Sequence, residues 1–62
     1  MANAEEYIVR ANHKVDEATT ARLNNYEDLA NTLLREAARL YMDAGEYGEA
    51  AACKMLITAE EI

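Results

Sequence analysis

The stretch LYMDAGEYGEAA, residues 40–51, decides the fold, because it has the pattern of a helix end, a tight turn and a helix start. Gly45 suits the left-handed conformation that closes many helices. Glu46 and Glu49 follow it, and carboxylates are favoured at the positive N-terminal end of a helix. The sequence therefore predicts a helical corner at Gly45.

Upstream of this corner, apolar residues recur at alternating spacings of three and four, which is the pattern of a heptad seam. The seam comprises Leu23, Tyr26, Ala30, Leu33, Ala37, Leu40 and Ala44. Three further apolar residues, Leu29, Leu34 and Tyr41, lie beside it. An apolar face of this width predicts a long central helix that packs against more than one neighbour.

A separate helix is predicted at the N-terminus. Asn3 and Glu6 have the spacing of a capping box, and four apolar residues then share one helical face: Ile8, Ala11, Val15 and Ala18. The segment TTARLNN, residues 19–25, weakens helix propensity and favours a break, with Asn25 as a second N-cap. One continuous helix whose seam changes face is the alternative.

These patterns predict an all-α fold, a small three-helix bundle made of a helical hairpin and an extra N-terminal helix, in a single domain spanning residues 1–62. A chain this short buries only about 60% of the surface that its unfolded form exposes. Cys53 is the sole cysteine, so no intrachain disulfide compensates. We therefore expect homo-oligomerisation, most simply a dimer, to complete the core. The predicted oligomer interface is Leu23, Tyr26, Ala30, Leu33, Ala37 and Leu40.

The formal charge of −6 is concentrated at the two ends of the chain, while residues 10–39 are balanced. An acidic protein repels nucleic acid and anionic membranes, so the expected partner has a basic or apolar surface. No apolar run is long enough to cross a bilayer. The N-terminus lacks the apolar core of a signal peptide, and we expect a cytoplasmic protein.

Residues for catalysis are scarce. The chain has one histidine and no serine, so neither a Ser–His–Asp nor a Cys–His set is credible, and no glycine-rich phosphate loop is present. A carboxylate-bridged metal site in a bundle uses a Glu-x-x-His pair, but Arg10 stands three residues before His13. Cys53 lies among small residues and is predicted to be buried and structural. The sequence predicts no enzyme activity, no cofactor and no metal site.

Residues 34–57 resemble the helical hairpin of the tetratricopeptide repeat family. The matching positions are Leu34, Ala38, Tyr41, Gly45, Tyr47 and Ala50. The resemblance implies an antiparallel helix pair of a peptide-binding fold. Lys54 and Ile57 depart from the family pattern, no proline closes the unit, and no second repeat lies 34 residues away. The sequence therefore favours a bundle corner over a solenoid.

Three functions follow from these observations as hypotheses. The leading one is a non-enzymatic protein-binding module, an adaptor or an inhibitor, that acts as a small homo-oligomer. Its predicted partner-binding residues are Tyr41, Glu46, Tyr47 and Glu49. The alternative is an acidic nucleic-acid mimic that inhibits a DNA- or RNA-binding protein and resembles phage-encoded anti-restriction or anti-CRISPR proteins. The third is sequestration of a small ligand between subunits.

Overall fold

The structure is a computed structural model that describes residues 3–58. It contains three α-helices: α1 Ala4–Leu23, α2 Glu27–Asp43 and α3 Tyr47–Leu56. Helix α2 packs against both of the other helices. The prediction of a small three-helix bundle is confirmed, and no strand occurs within residues 3–58.

Helix α1 begins and ends for local reasons. The side-chain oxygen of Asn3 accepts a hydrogen bond from the backbone N–H of Glu6 at 2.9 Å, which confirms the predicted N-cap. The helix then continues through both threonines of the predicted break and ends at Leu23. The hydroxyl of Thr19 donates to the backbone carbonyl of Val15 at 3.1 Å, so this side chain is accommodated within the helix.

The two interhelical turns have the same backbone geometry, twenty residues apart. Asn25 and Gly45 both adopt the left-handed conformation, with φ of 67° and 80°. In each turn the next residue donates its N–H to a carbonyl five residues upstream at 2.8 Å, which is the long bond of a Schellman motif. These bonds run from Tyr26 to Ala21 and from Glu46 to Tyr41.

The prediction that Asn25 is the N-cap of the second helix is wrong. Asn25 closes α1 instead, because asparagine is one of the few residues that tolerate a left-handed backbone. Tyr26 occupies the N-cap position of α2 and makes no side-chain capping bond. Its ring is therefore not tied back to the first turn of α2, and it is 62% exposed.

Small side chains form most of the core. Within residues 3–58, seven of the ten buried apolar residues are alanines, and these are Ala11, Ala18, Ala21, Ala30, Ala37, Ala38 and Ala50. The other three are Leu34, Tyr41 and Cys53. Larger apolar residues lie outside, among them Leu23 at 80% and Met55 at 85% exposed. The bundle thus buries small side chains and leaves many large ones in contact with solvent.

A polar cluster centred on one buried side chain joins the ends of all three helices. Asn31 of α2 is only 2% exposed, and its side-chain oxygen accepts from the guanidinium of Arg22 at 2.9 Å and from the N–H of Thr58 at 3.2 Å. Arg22 also donates to the backbone carbonyl of Leu56, the last residue of α3, at 2.9 Å. We call Arg22, Asn31 and Thr58 the polar clamp.

Candidate protein-binding surface

The predicted oligomer interface is divided by the packing of α2. Ala30 and Ala37 are fully buried against helices of their own chain, so they have no surface to offer to a second copy. Leu33 and Leu40 are half-buried at the edges of the core. Leu23 and Tyr26 are exposed. Four of the six predicted interface residues are therefore accessible to a second copy, whereas α1 and α3 cover the two alanines of the seam.

The predicted partner-binding residues are also separated. Tyr41 is 5% exposed, and its hydroxyl donates to the side-chain oxygen of Asn12 on α1. It is a core residue and cannot contact a partner in this fold. Glu46, Tyr47 and Glu49 are exposed at the start of α3, where Tyr47 is 67% exposed. These three remain available to a partner.

A groove of about 520 Å³ runs between α1 and α2 next to their connecting turn. We call it the α1–α2 groove. It is lined by Asp16, Glu17, Thr20, Ala21, Asn24, Tyr26, Leu29 and Leu33. Ala21 is buried and forms part of the floor, and its small side chain leaves room above it.

The two walls of the groove differ in chemistry. The wall from α1 and its C-terminal end is polar, with two carboxylates, a hydroxyl and an amide, whereas the wall on the α2 side is apolar. On that apolar wall Tyr26 is 62% and Leu29 is 51% exposed. Leu29 and Leu33 are four residues apart and so project from the same helical face. The groove is therefore amphipathic across its width.

The electrostatics of the groove are one-sided. Its lining contains Asp16 and Glu17 and no basic residue. Within residues 3–58 neither carboxylate takes part in an ion pair, whereas three other acids of the chain do. Those pairs are Lys14 with Glu36, Arg22 with Glu27, and Arg39 with Asp43. Both groove carboxylates can therefore attract a cation from outside the chain; Glu17 also borders a neighbouring hollow lined by Arg10, His13 and Lys14, so Asp16 is the one farther from the chain's own cations.

A second, smaller hollow of about 190 Å³ lies where the C-terminal ends of α1 and α3 meet α2. It is lined by Ala18, Thr19, Arg22, Leu23, Leu34 and Leu56. We call it the Leu23–Leu56 hollow. Leu56 is 53% exposed and Leu23 more so, which makes this hollow another apolar area on the surface of the described chain.

Metal binding, thiol reactivity and membrane insertion each depend on particular side chains or helices of the described part of the chain. Among residues 3–58 no group of three or more histidine, cysteine, aspartate or glutamate side chains is arranged to hold a metal ion. Cys53 is buried, and this burial, followed by the negative charge of Glu49, raises the pKa of its thiol above 9.0. A reactive thiol needs the opposite shift. No described helix has both the length and the apolar character to cross a membrane.

Sequence reasoning identified only the apolar wall of the groove. The spacing of Leu29 and Leu33 predicts that both lie on or beside the seam of α2. The sequence pattern does not predict that Asp16 and Thr20 line a groove. Which face of α1 flanks α2 depends on how the turn at Asn25 orients the two helices. The pattern does not predict the buried Asn31 either, since its role depends on residues far away in sequence.

Comparison with known proteins returns no match: no family model, no curated protein and no solved structure matches this chain.

Proposed function

We propose that this chain is a non-enzymatic protein-binding module that acts as a small homo-oligomer, most simply a dimer. The observation that carries the proposal is the distribution of apolar side chains, with alanines inside and leucines, methionine and tyrosines outside. Exposed apolar residues that lie together on a surface mark sites of association in soluble proteins.

The energetic argument is direct. Complete burial of a leucine side chain contributes about 1.5–3 kcal/mol relative to leaving it in water. Leu23, Leu29 and Leu56 are each more than half exposed, so about half or more of that free energy is not used within the chain. Contact with another protein surface would recover it. These leucines fall in two places, the α1–α2 groove and the Leu23–Leu56 hollow, which allows self-association at one and partner binding at the other.

Self-association is tested by sedimentation velocity from micromolar to millimolar concentration. We expect the wild-type chain to exceed the monomer mass, and Leu23→Gln to weaken the association about tenfold, which corresponds to about 1.4 kcal/mol. Val9→Gln is the matched control, because Val9 is 61% exposed on the same helix and lines neither the groove nor the hollow. A monomer at every concentration would remove the oligomer from the proposal.

Partner binding is tested by affinity capture from the lysate of the native cell at low and high salt. A protein retained in both conditions supports the proposal, because apolar contacts resist salt. A nucleic-acid-handling protein that leaves at high salt would instead support the acidic mimic, whose charged contacts are screened. Within residues 3–58 the carboxylates of Glu27, Glu36 and Asp43 are already paired with cations of the chain, which favours the first outcome.

A further inference from the structure

We propose that the α1–α2 groove binds a basic amphipathic helix of a partner protein, with apolar side chains against α2 and lysines or arginines against the carboxylates of α1. This inference rests on the proposed protein-binding function and adds the class of partner and the surface that receives it. It follows from the juxtaposition of an exposed apolar wall and an unpaired acidic wall in one groove.

The apolar wall sets the first requirement. Tyr26, Leu29 and Leu33 present a ring and two branched side chains along one edge of the groove. A helix displays apolar side chains along one stripe at spacings of three and four, and such a stripe fits a groove of this kind. The groove extends from Asp16 to Asn24 along α1, about 12 Å at the helical rise of 1.5 Å per residue. About two turns of a bound helix would fill it.

The acidic wall sets the second requirement. Asp16 and Glu17 line the α1 side of the groove, and the groove lining holds no basic side chain; the cations near Glu17 belong to the neighbouring hollow of Arg10, His13 and Lys14. Lysine and arginine have long apolar stems that can lie over leucine while their charged ends reach a carboxylate. A helix with cations flanking its apolar stripe would therefore satisfy both walls, whereas an acidic or uncharged helix would satisfy only one.

Other occupants fit the groove less well. A nucleic acid would bring its phosphates against two carboxylates. A second copy of this chain would bring a formal charge of −6 to an acidic groove, and three of its six basic residues, Lys14, Arg22 and Arg39, are held in ion pairs with acids of their own chain. The complementary charge is better supplied by a different protein.

The test uses a synthetic fluorescein-labelled helical peptide with a leucine stripe flanked by lysines, and a matched peptide with glutamates at the lysine positions. Fluorescence anisotropy measures affinity, and amide chemical shifts of the ¹⁵N-labelled full chain locate the peptide. We expect the lysine peptide to bind at least tenfold more tightly than the glutamate peptide. We also expect the largest shifts at Thr20, Leu29 and Leu33.

Two variants separate the groove from general attraction to an acidic protein. Asp16→Asn combined with Glu17→Gln should weaken the lysine peptide about tenfold. The control, Glu5→Gln combined with Glu6→Gln, removes the same charge from exposed positions in the first turn of α1 and should change affinity less than twofold. Leu29→Ala should weaken binding even at high salt, since its contribution is apolar. Circular dichroism verifies that each variant keeps its helices.

Three results would each overturn the inference. They are an equal loss of affinity in the two charge variants, equal affinity for the two peptides, and amide chemical-shift changes that map outside the groove. Groove shifts that appear on raising the concentration of the chain alone would assign the groove to a second copy and also overturn it. If the lysine peptide fails while the lysate still yields a salt-resistant partner, the protein-binding function stands and only this inference fails. If the peptide binds the groove but the chain captures no protein and stays monomeric, the proposed function fails instead.

Discussion

A single buried amide organises one end of the molecule. Asn31 is the one polar residue buried within the described chain, and the clamp satisfies its side chain with partners from α1 and from the segment after α3. A buried polar group that keeps its partners costs little, whereas partners left without it lose free energy. The clamp therefore makes the packing of three helix ends depend on one side chain.

Replacing this amide should destabilise the fold. Asn31→Ala leaves the guanidinium of Arg22 and the N–H of Thr58 without their acceptor, and we expect the free energy of unfolding to fall by about 1–3 kcal/mol. Thr32→Ala is the control, because it removes a polar side chain from the adjacent, exposed position of the same helix. Urea unfolding followed by circular dichroism measures both. Equal stability of the two variants would contradict the role given to the clamp.

Two buried groups predict a loss of stability in alkali. Desolvation raises the pKa of the Cys53 thiol above 9.0 and that of the Tyr41 hydroxyl above 10.0, and the negative charge of Glu49 acts in the same direction on both. A raised pKa means that the unfolded chain releases its proton first. The stability that the protonated Cys53 and Tyr41 contribute is therefore fully present below pH 9.0. It is lost as the pH rises through the folded-state pKa of each group.

Urea midpoints measured on either side of pH 9.0 test this expectation. Cys53→Ala should lower the free energy of unfolding at neutral pH, because it leaves space in the core. The alkaline loss of stability in this variant should begin only near pH 10.0, where the Tyr41 hydroxyl starts to contribute. An unchanged pH profile in this variant would show that Cys53 does not contribute to the alkaline loss.

At the scale of the helices, the same substitution at the two glycines should have opposite effects. Gly45 has φ of 80°, and a Cβ added there would meet nothing within 4 Å, so the cost of Gly45→Ala is backbone strain alone, about 1–2 kcal/mol. Gly48 lies in the first turn of α3 and also has open space around it. Gly48→Ala should stabilise by up to about 1 kcal/mol. Thermal unfolding of the two variants measures both changes in stability. A loss of stability in both variants would contradict the different backbone requirements given to Gly45 and Gly48.

The helices were predictable from sequence because their signals are local. Asn3, Gly45 and the spacing of the apolar residues in α1 and α2 each act within one or two turns of helix. The prediction for Asn25 is wrong because asparagine is common both at N-caps and at left-handed positions after a helix. The hydrogen bond from the N–H of Tyr26 to the carbonyl of Ala21 places it at the end of α1. The groove and the clamp combine residues from separate helices, which periodicity alone cannot bring together.

For the whole molecule, stability should be lowest in α3. This helix has ten residues and packs on α2, and its C-terminal end is held by the clamp through the carbonyl of Leu56. Short elements with few buried contacts open more readily than the rest of a domain. Besides the contribution of Asn31 to global unfolding, the bond from Arg22 to Leu56 is therefore expected to control local opening of α3.

Hydrogen exchange tests this expectation. Arg22→Ala should raise the exchange rates of α3 amides, with a smaller change in the amides at the centre of α2, because the bond from Arg22 to Leu56 is lost. Arg39→Ala removes a cation that is 79% exposed and paired only locally with Asp43, and it should leave α3 unchanged. A uniform increase throughout the chain in Arg22→Ala would mean that the clamp supports the whole fold and not α3 in particular.

The alanine core has a consequence for how this protein tolerates substitution. Alanine scanning, the usual means of mapping an interior, would leave seven of the ten buried apolar positions untouched, because they already carry alanine. The informative changes run in the other direction. Enlarging Ala37 to valine or leucine would force the helices apart at a cost of about 1–3 kcal/mol. At the alanine positions sequence drift is therefore constrained mainly against gain of volume, whereas Leu34, Tyr41 and Cys53 are constrained against its loss.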